Sequence, residues 1–426
     1  MDFNEDFLHF IWQFRLFKAG PLRCIDGETL QVLHPGILNQ HAGPDFSGAK
    51  LIIDQTKWVG HVEIHLKSSD WLLHQHQNDT AYEAVILHVV YRYDVPIYRS
   101  DGSRIPVLAL DPLFSKQLLV TYKELLTSAH HFPCQQQIGS VDPLIVHSFL
   151  SRLIVERLEQ KSAEVFQKLE QYCGDWEQTF YCFIARSFGF KVNAVPFELL
   201  ANALPQHFFS KHKDNPLQIE ALLFGQAGFL NQEFTEVYPM QLQREYAFLK
   251  NKYRLVPMDC SLWKFLRMRP QNFPTVRLAQ FAALVCKSSH LFSKILLAES
   301  HAELLALFDE LPVNEYWQTH YHFNKQTQQV VVQPGMRSLN NIIINAVCLF
   351  LFCYGKYTDQ PILIERTLDF LENMPAEHNA IVAQYASAGI KINSAFVSQA
   401  VLQLNKYYCN QKKCLNCGIG IKILRK

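Results

Sequence analysis

The sequence predicts an α+β protein: an N-terminal α/β domain with a small mixed sheet, then a large all-helical domain. Three observations carry this. Short apolar runs of period two crowd residues 30–110. Runs of helical period fill the chain after about Leu113. A length of 426 residues accommodates two domains with a large core. The polar stretch Ser128–Val141 marks the junction, giving domains over 1–128 and 141–426.

Each element has a local reason. Phe3, Phe7, Phe10, Ile11 and Phe14 recur at helical spacing, and Gly20-Pro21 would end that first helix. Residues 30–33, 49–53 and 58–66 read as strands. Ser69 or Asp70 would cap a short helix carrying Trp71, Leu72 and Leu73. Residues 85–91 are apolar on both faces, which suits a central strand. Residues 105–110 follow the turn Ser100-Asp101-Gly102 and would pair with Ile97 and Tyr98. Beyond the junction, helices fit 143–172, 176–188, 196–203, 219–225, 238–253, 275–285, 291–298, 339–352, 362–374 and 394–409, separated by Pro and Gly.

Bulk properties narrow the function. Apolar content of 49% with 19% charged residues describes an ordinary folded protein. A net charge of +1 supplies no global field to draw nucleic acid. The acidic, then amphipathic N-terminus reads against a signal peptide. The apolar stretch around residues 342–354 is shorter than a membrane span and reads as a buried helix. The eleven cysteines lie mostly alone inside apolar runs, which fits reduced thiols and a cytoplasmic protein. No Walker loop or dinucleotide fingerprint is present, which argues against nucleotide-driven chemistry.

The chemistry concentrates in the strand over 58–66. Val62, Ile64 and Leu66 would point one way, and Glu63, His65 and Lys67 the other. Asp45 lies just upstream. Two acids near a base suit a site where carboxylates hold a divalent ion that generates hydroxide. Residues two apart on a strand lie roughly 6.6 Å apart, and four apart roughly 13 Å. Glu63 therefore pairs with His65, and Lys67 lies too far away to share a metal-bound water with Glu63. The alternative is a polar outer face of an antiparallel strand, with Asp45 as a turn residue. A second metal reading uses His61, His65, His74 and His76 with Glu63 and Asp79, a donor set suited to zinc or non-haem iron. His88, between Leu87 and Val89, reads as a buried, hydrogen-bonded histidine.

Cys409, Cys414 and Cys417 form a further cluster whose spacing suits zinc or an iron–sulfur centre. Cys134 is the best fourth ligand. The alternative is a set of free thiols whose pKa is lowered by Lys412 and Lys413.

The segments NQHAGPDFSGAK (39–50), WVGHVEIHLKSSDW (58–71), HQHQNDTAYEAVILHVVY (74–91), EALLFGQAGFL (220–230), RMRPQNFPTVRLA (267–279) and CNQKKCLNCGI (409–419) resemble an uncharacterised bacterial family, domain of unknown function 2851. That resemblance implies no activity. The N-terminal part also resembles the PD-(D/E)-x-K, restriction-endonuclease-like nuclease fold. This implies that Asp45 and Glu63 bind Mg²⁺ or Mn²⁺, with Glu5 as an extra acid. His65 or Lys67 would orient the attacking water, and DNA or RNA would be the substrate. The cysteine arrangement resembles the iron–sulfur staple of some RecB-like nucleases. The function expected is a metal-dependent nuclease or nucleic-acid-processing protein. The alternatives are a non-catalytic helical scaffold with a structural cysteine-bound metal, and a histidine-rich zinc or iron hydrolase.

Overall fold

A seven-stranded mixed sheet organises the N-terminal part of the chain. The structure is a computed structural model that describes residues 3–39 and 41–425. The strands are β1 (Leu22–Arg23), β2 (Thr29–His34), β3 (Ile37–Leu38), β4 (Phe46–Ile53), β5 (Thr56–Lys67), β6 (Val85–Arg92) and β7 (Val107–Ala109). Their order is β1-β2-β4-β5-β6-β7, with β3 paired to β4. The pairs β1–β2, β2–β4 and β4–β5 are antiparallel, whereas β5–β6 and β6–β7 are parallel.

Local chemistry explains this layout. The β4–β5 hairpin turns at Asp54, which takes a positive φ of 53°. Its carboxylate accepts the Thr29 N–H at 2.8 Å, tying the turn to β2. Strand β6 is buried from Val85 through Val90, as its two-sided apolar sequence requires. At Gly60, β5 passes close to the start of β6. A Cβ there would lie 2.5 Å from Ile86 Cγ2 and 2.6 Å from the Ala84 oxygen, so only glycine fits. The register of the β5–β6 pair slips immediately afterwards, between His61 and Val62.

Helix α1 (Glu5–Gln13) buries Phe7, Leu8, Phe10, Ile11 and Trp12. It ends well before Gly20-Pro21, because Arg15 adopts a left-handed φ of 51°. Residues 105–110 do not all form a hairpin with Ile97 and Tyr98. The hairpin is short, consisting of the Tyr98–Arg104 bridge, the Arg99 N–H to Ser103 oxygen bond (2.9 Å) and the Ile105 N–H to Ile97 oxygen bond (3.0 Å). The chain then joins β6 in parallel as β7. The short helix α2 (Asp70–Leu73) is set by side chains rather than by an N-cap. Asp70 reaches back to accept the Lys67 N–H at 2.8 Å. The Ser69 hydroxyl is committed to Asp94 at 2.7 Å, and the buried Ser68 hydroxyl accepts the N–H groups of Asp94 and Val95.

The chain divides into two units, and the division differs from a break over 128–141. The first unit holds Met1–Phe149, Ala383–Ile390 and Gln403–Lys426, so the C-terminal cysteine segment groups with the sheet and not with the helices. Helix α3 (Lys116–Thr127) belongs to it, with Tyr122 stacked on Phe7 at 4.8 Å. The second unit holds Leu150–Val382 and Lys391–Leu402 and, among the described residues, is almost entirely helical. Helix α4 (Pro143–Gln171) is the longest element. The helix expected over 339–352 extends to Met336–Tyr357, with one π-turn at Ile343–Val347. Its length and composition would suffice to cross a membrane, but its most apolar window is 78% buried inside the protein, as for a core helix. A helix at His301–Phe308 escaped the periodicity argument. Its signal was the capping pair Ser300 and Glu303: the Ser300 hydroxyl accepts the Glu303 N–H, and the Glu303 carboxylate accepts the Glu299 N–H just before the cap. Arg277 is buried, with its guanidinium held by Gln280, Asn272 and Ser338, which uses it structurally.

Glu220, inside helix Pro216–Gln226, is buried, and burial pushes its carboxyl up to about 7 from the ordinary 4.5. The native state then holds a proton that the unfolded chain has lost. Its contribution to stability is complete below the unfolded value and disappears as pH rises through the folded one. The total is roughly 3 kcal/mol. Urea unfolding between pH 4.5 and 7 should show this decline in the wild type and a flatter profile in Glu220→Gln; equal slopes would contradict the assignment.

Candidate metal centre

Strand β5 and the turn after it place four donors together. Glu63 and His65 share one face of β5 and are 4% and 1% exposed, so this face is not the solvated outer side of a sheet. Helix α2 ends at His74, Gln75 takes a left-handed φ of 60°, and His76 opens a 3-10 turn over His76–Asn78. That reversal at Gln75 brings both imidazoles to the same point. His65 Nε2 lies 3.1 Å from His74 Nδ1. Glu63 Oε1 lies 3.6 Å from His65 Nε2 and 3.4 Å from His76 Nε2. The ligand atoms of His65, His74 and His76 all fall within 4.8 Å of one another.

The 3.1 Å and 3.4 Å separations are ones that ligands around a single ion could have. Donors about 2.1 Å from a metal, at angles between octahedral and tetrahedral, lie roughly 3.0–3.4 Å apart. His76 Nε2 is also buried without a hydrogen-bond partner, a position that an ion would satisfy. Three imidazoles and one carboxylate suit zinc, iron or manganese better than Mg²⁺, which prefers all-oxygen sites.

The surrounding groups orient these donors. His65 Nδ1 faces His88 Nε2 at 2.9 Å, and His88 is fully buried, as its apolar neighbours imply. Trp71 sets its edge against His76 and His88, and Tyr82 stacks on His76 at 3.8 Å. Asp45 is locked to β5 by a reciprocal pair of bonds. Its N–H donates to Glu63 Oε2 at 3.0 Å, and its Oδ2 accepts the Ile64 N–H at 2.9 Å. His9 Nε2, from α1, approaches the same Asp45 oxygen at 3.2 Å. Glu5, one helical turn before His9, accepts the Leu66 N–H and senses the charges of Asp45, His9 and His74.

The electrostatics follow from crowding and burial. Desolvation, then the charge of Asp45, pushes Glu63 up to about 9. Desolvation, then His76 and His74, pulls His65 down to about 3. Burial also lowers His76 and drives His88 well below the ordinary histidine range. His65, His76 and His88 are thus biased towards the neutral form, the one that ligates a metal. A bound cation would reverse the penalty on the Glu63 carboxylate.

Of the expected residues, Glu5, Asp45, Glu63, His65, His74 and His76 converge. Lys67 does not. It is exposed at the end of β5, opposite Arg92. His61 is not among the three converging imidazoles; it lies at the register shift of the β5–β6 pair, and its N–H pairs with the Ala84 oxygen. Asp79 caps a turn by accepting the Ala81 N–H. Sequence reasoning missed His9 and Tyr82. His9 had a signal, since it lies four residues after Glu5 on one helix face; Tyr82 had none in its spacing.

Cys134, Cys409, Cys414 and Cys417 are all buried. Burial pushes Cys409 and Cys414 up to about 12, the latter despite the nearby Lys412, and pushes Cys134 higher still.

A family model described as a protein of unknown function, DUF2851, matches residues 5–380. The chain belongs to that family. The matched span includes every residue of the imidazole–carboxylate centre and Cys134, and stops before the three C-terminal cysteines. No curated protein and no solved structure matches the chain.

Elemental analysis of the purified full chain should find a transition metal that His74→Ala, His76→Ala and Glu63→Gln each reduce at least tenfold. Lys67→Ala and His61→Ala should retain it. Retention in the His76 and Glu63 variants would remove this donor set.

Proposed function

We propose that this protein is a metal-dependent hydrolase whose ion is held by His65, His74, His76 and Glu63. The observation that carries the proposal is the convergence of three imidazole nitrogens, all within 4.8 Å of one another, beside a buried carboxylate. An ion in such a set supplies a hydroxide nucleophile at neutral pH and polarises the bond to be cleaved. The chain's own residues supply the rest. His88 fixes the orientation of His65 through its Nδ1. The Asp45–His9 pair, partly open to solvent, can accept or return a proton beside the centre. His74 is the exposed donor, so substrate approaches from its side.

A phosphodiester substrate is favoured by the arrangement of acids and strands. Asp45 and Glu63 meet across neighbouring antiparallel strands. The order of α1, three antiparallel strands β2, β4 and β5, α2, and a parallel β6 is similar to the PD-(D/E)-x-K core. The imidazoles take the place that an acid-x-lysine pair would occupy, and Lys67 is left as a surface cation.

The test is cleavage of single- and double-stranded DNA, RNA and bis(p-nitrophenyl) phosphate by the full chain supplied in turn with Zn²⁺, Mn²⁺, Fe²⁺ and Mg²⁺. Turnover with a transition metal should fall about 100-fold or more in His76→Ala and about 10-fold or more in His9→Ala. Mg²⁺-dependent cleavage that survives His76→Ala would replace the imidazole centre with a two-acid site at Asp45 and Glu63. A stoichiometric ion without turnover of any of these substrates would defeat the phosphodiesterase assignment.

A further inference from the structure

We propose that Lys161 is a nucleophilic amine that condenses with the carbonyl carbon of a small 2-oxo acid bound in a cavity of the second unit. The cavity has a volume of about 560 Å³, a size that suits a small-molecule site. Lys161 of α4, Arg186 of helix Trp176–Phe188, and Asn341 and Asn345 of helix Met336–Tyr357 all line it, beside the apolar Phe183 and Phe190. All of these residues belong to the second unit, and the proposal does not rest on the hydrolase reading.

The polar side chains around Lys161 are arranged to leave its amine without a counter-ion. Its Nζ donates to Asn345 Oδ1 at 2.9 Å, so its partner is a neutral amide. Asn345 sits on the π-turn Ile343–Val347, a distortion of the helix that recurs at functional sites. Its Nδ2 donates to the Asn341 oxygen at 3.0 Å, which fixes the amide with its oxygen towards the amine. The nearby Glu377 carboxylate is occupied elsewhere. Asn341 Nδ2 donates to its Oε1 at 3.0 Å, and Gln399 Nε2 donates to its Oε2. Gln399 Oε1 in turn accepts Arg157 Nε at 2.6 Å. An amide oxygen can accept an N–H from a neutral amine and leave its lone pair free, which an ion pair with a carboxylate would prevent.

The electrostatics agree with this geometry. Desolvation, then the charge of Arg157, pulls Lys161 down to about 7, with Arg186 acting in the same direction and Glu377 and Glu164 against it. A desolvated lysine beside other cations is the setting in which an amine becomes a nucleophile for carbonyl carbon. The guest's charge follows from the wall. Lys161, Arg186 and Lys191 share it with one carboxylate, Glu164, which pairs with Arg186. The excess positive charge suits an anion, and Lys191 is exposed at the wall to meet a carboxylate. In the reaction the Nζ lone pair adds to the carbonyl carbon and a C–N bond forms. The carbonyl oxygen takes up both amine protons and leaves as water, so a neutral imine remains and nothing is oxidised or reduced.

The experiment traps that imine. The full chain is incubated with glyoxylate and cyanoborohydride, digested, and mapped by mass spectrometry. At neutral pH, Lys161 should be modified about tenfold or more faster than the exposed Lys67. Because the neutral amine is the nucleophile, the rate at Lys161 should rise with pH and level off above about 7, whereas an ordinary lysine gains up to about pH 10. Propanal, a neutral aldehyde, should be trapped several-fold more slowly than glyoxylate, and Lys191→Met should narrow that difference. Lys161→Met should remove the adduct, and the wild-type map stands even if this variant fails to fold. Equal modification of Lys161 and Lys67, or a rate at Lys161 still climbing at pH 9, would overturn the nucleophile. Propanal trapped as fast as glyoxylate would overturn the 2-oxo acid.

Discussion

A carboxyl and an imidazole buried side by side on one strand cost several kcal/mol unless their polar atoms find partners. Glu63 and His65 impose that demand on β5, and the surrounding elements are arranged to meet it. Asp45 closes a reciprocal pair of hydrogen bonds with the strand, His88 takes one nitrogen of His65, and the turn after α2 delivers His74 and His76. At the point where the donors converge, His76 Nε2 is left buried without a hydrogen-bond partner.

The same reasoning explains the positions of several residues that never touch that point. Ser68, fully buried, takes two backbone N–H groups and holds the segment that carries α2. Gly60 lets β6 approach β5 closely, just before the register shift between the two strands. Gln75 accepts a left-handed backbone so that two histidines two residues apart face one another. Each is a local compromise made for the sake of placing imidazoles, which is the usual relation between a site and its scaffold.

Much of the fold was legible because periodicity reports burial. The strands β5 and β6 and the helices α2 and α4 appear close to where alternation and helical spacing put them. The misses have physical causes. Helix α1 stops early at a left-handed Arg15, and after the expected bond from Ile105 to Ile97 the chain leaves its short hairpin to run parallel to β6 at Val107–Ala109. The apolar helix around residues 342–354 grew to Met336–Tyr357, because its flanking polar residues continue the helical turn at either end of the buried span.

The candidate sites divide along the same line. By itself, the sequence determined which side chains were available: Asp45, Glu63 and His65 by their spacing and Cys409, Cys414 and Cys417 by theirs, while Glu5 entered through the resemblance to a nuclease fold. It also ruled Lys67 out as a partner of Glu63 in holding a metal-bound water, because strand rise is fixed. Only the tertiary structure decided that His74 and His76 join His65 and Glu63 while His61 does not, because the approach of the two later imidazoles rests on a left-handed turn at Gln75 that spacing does not report. Only it decided that the polar face of β5 is buried, since alternation looks the same whether the polar side meets water or a second layer of protein.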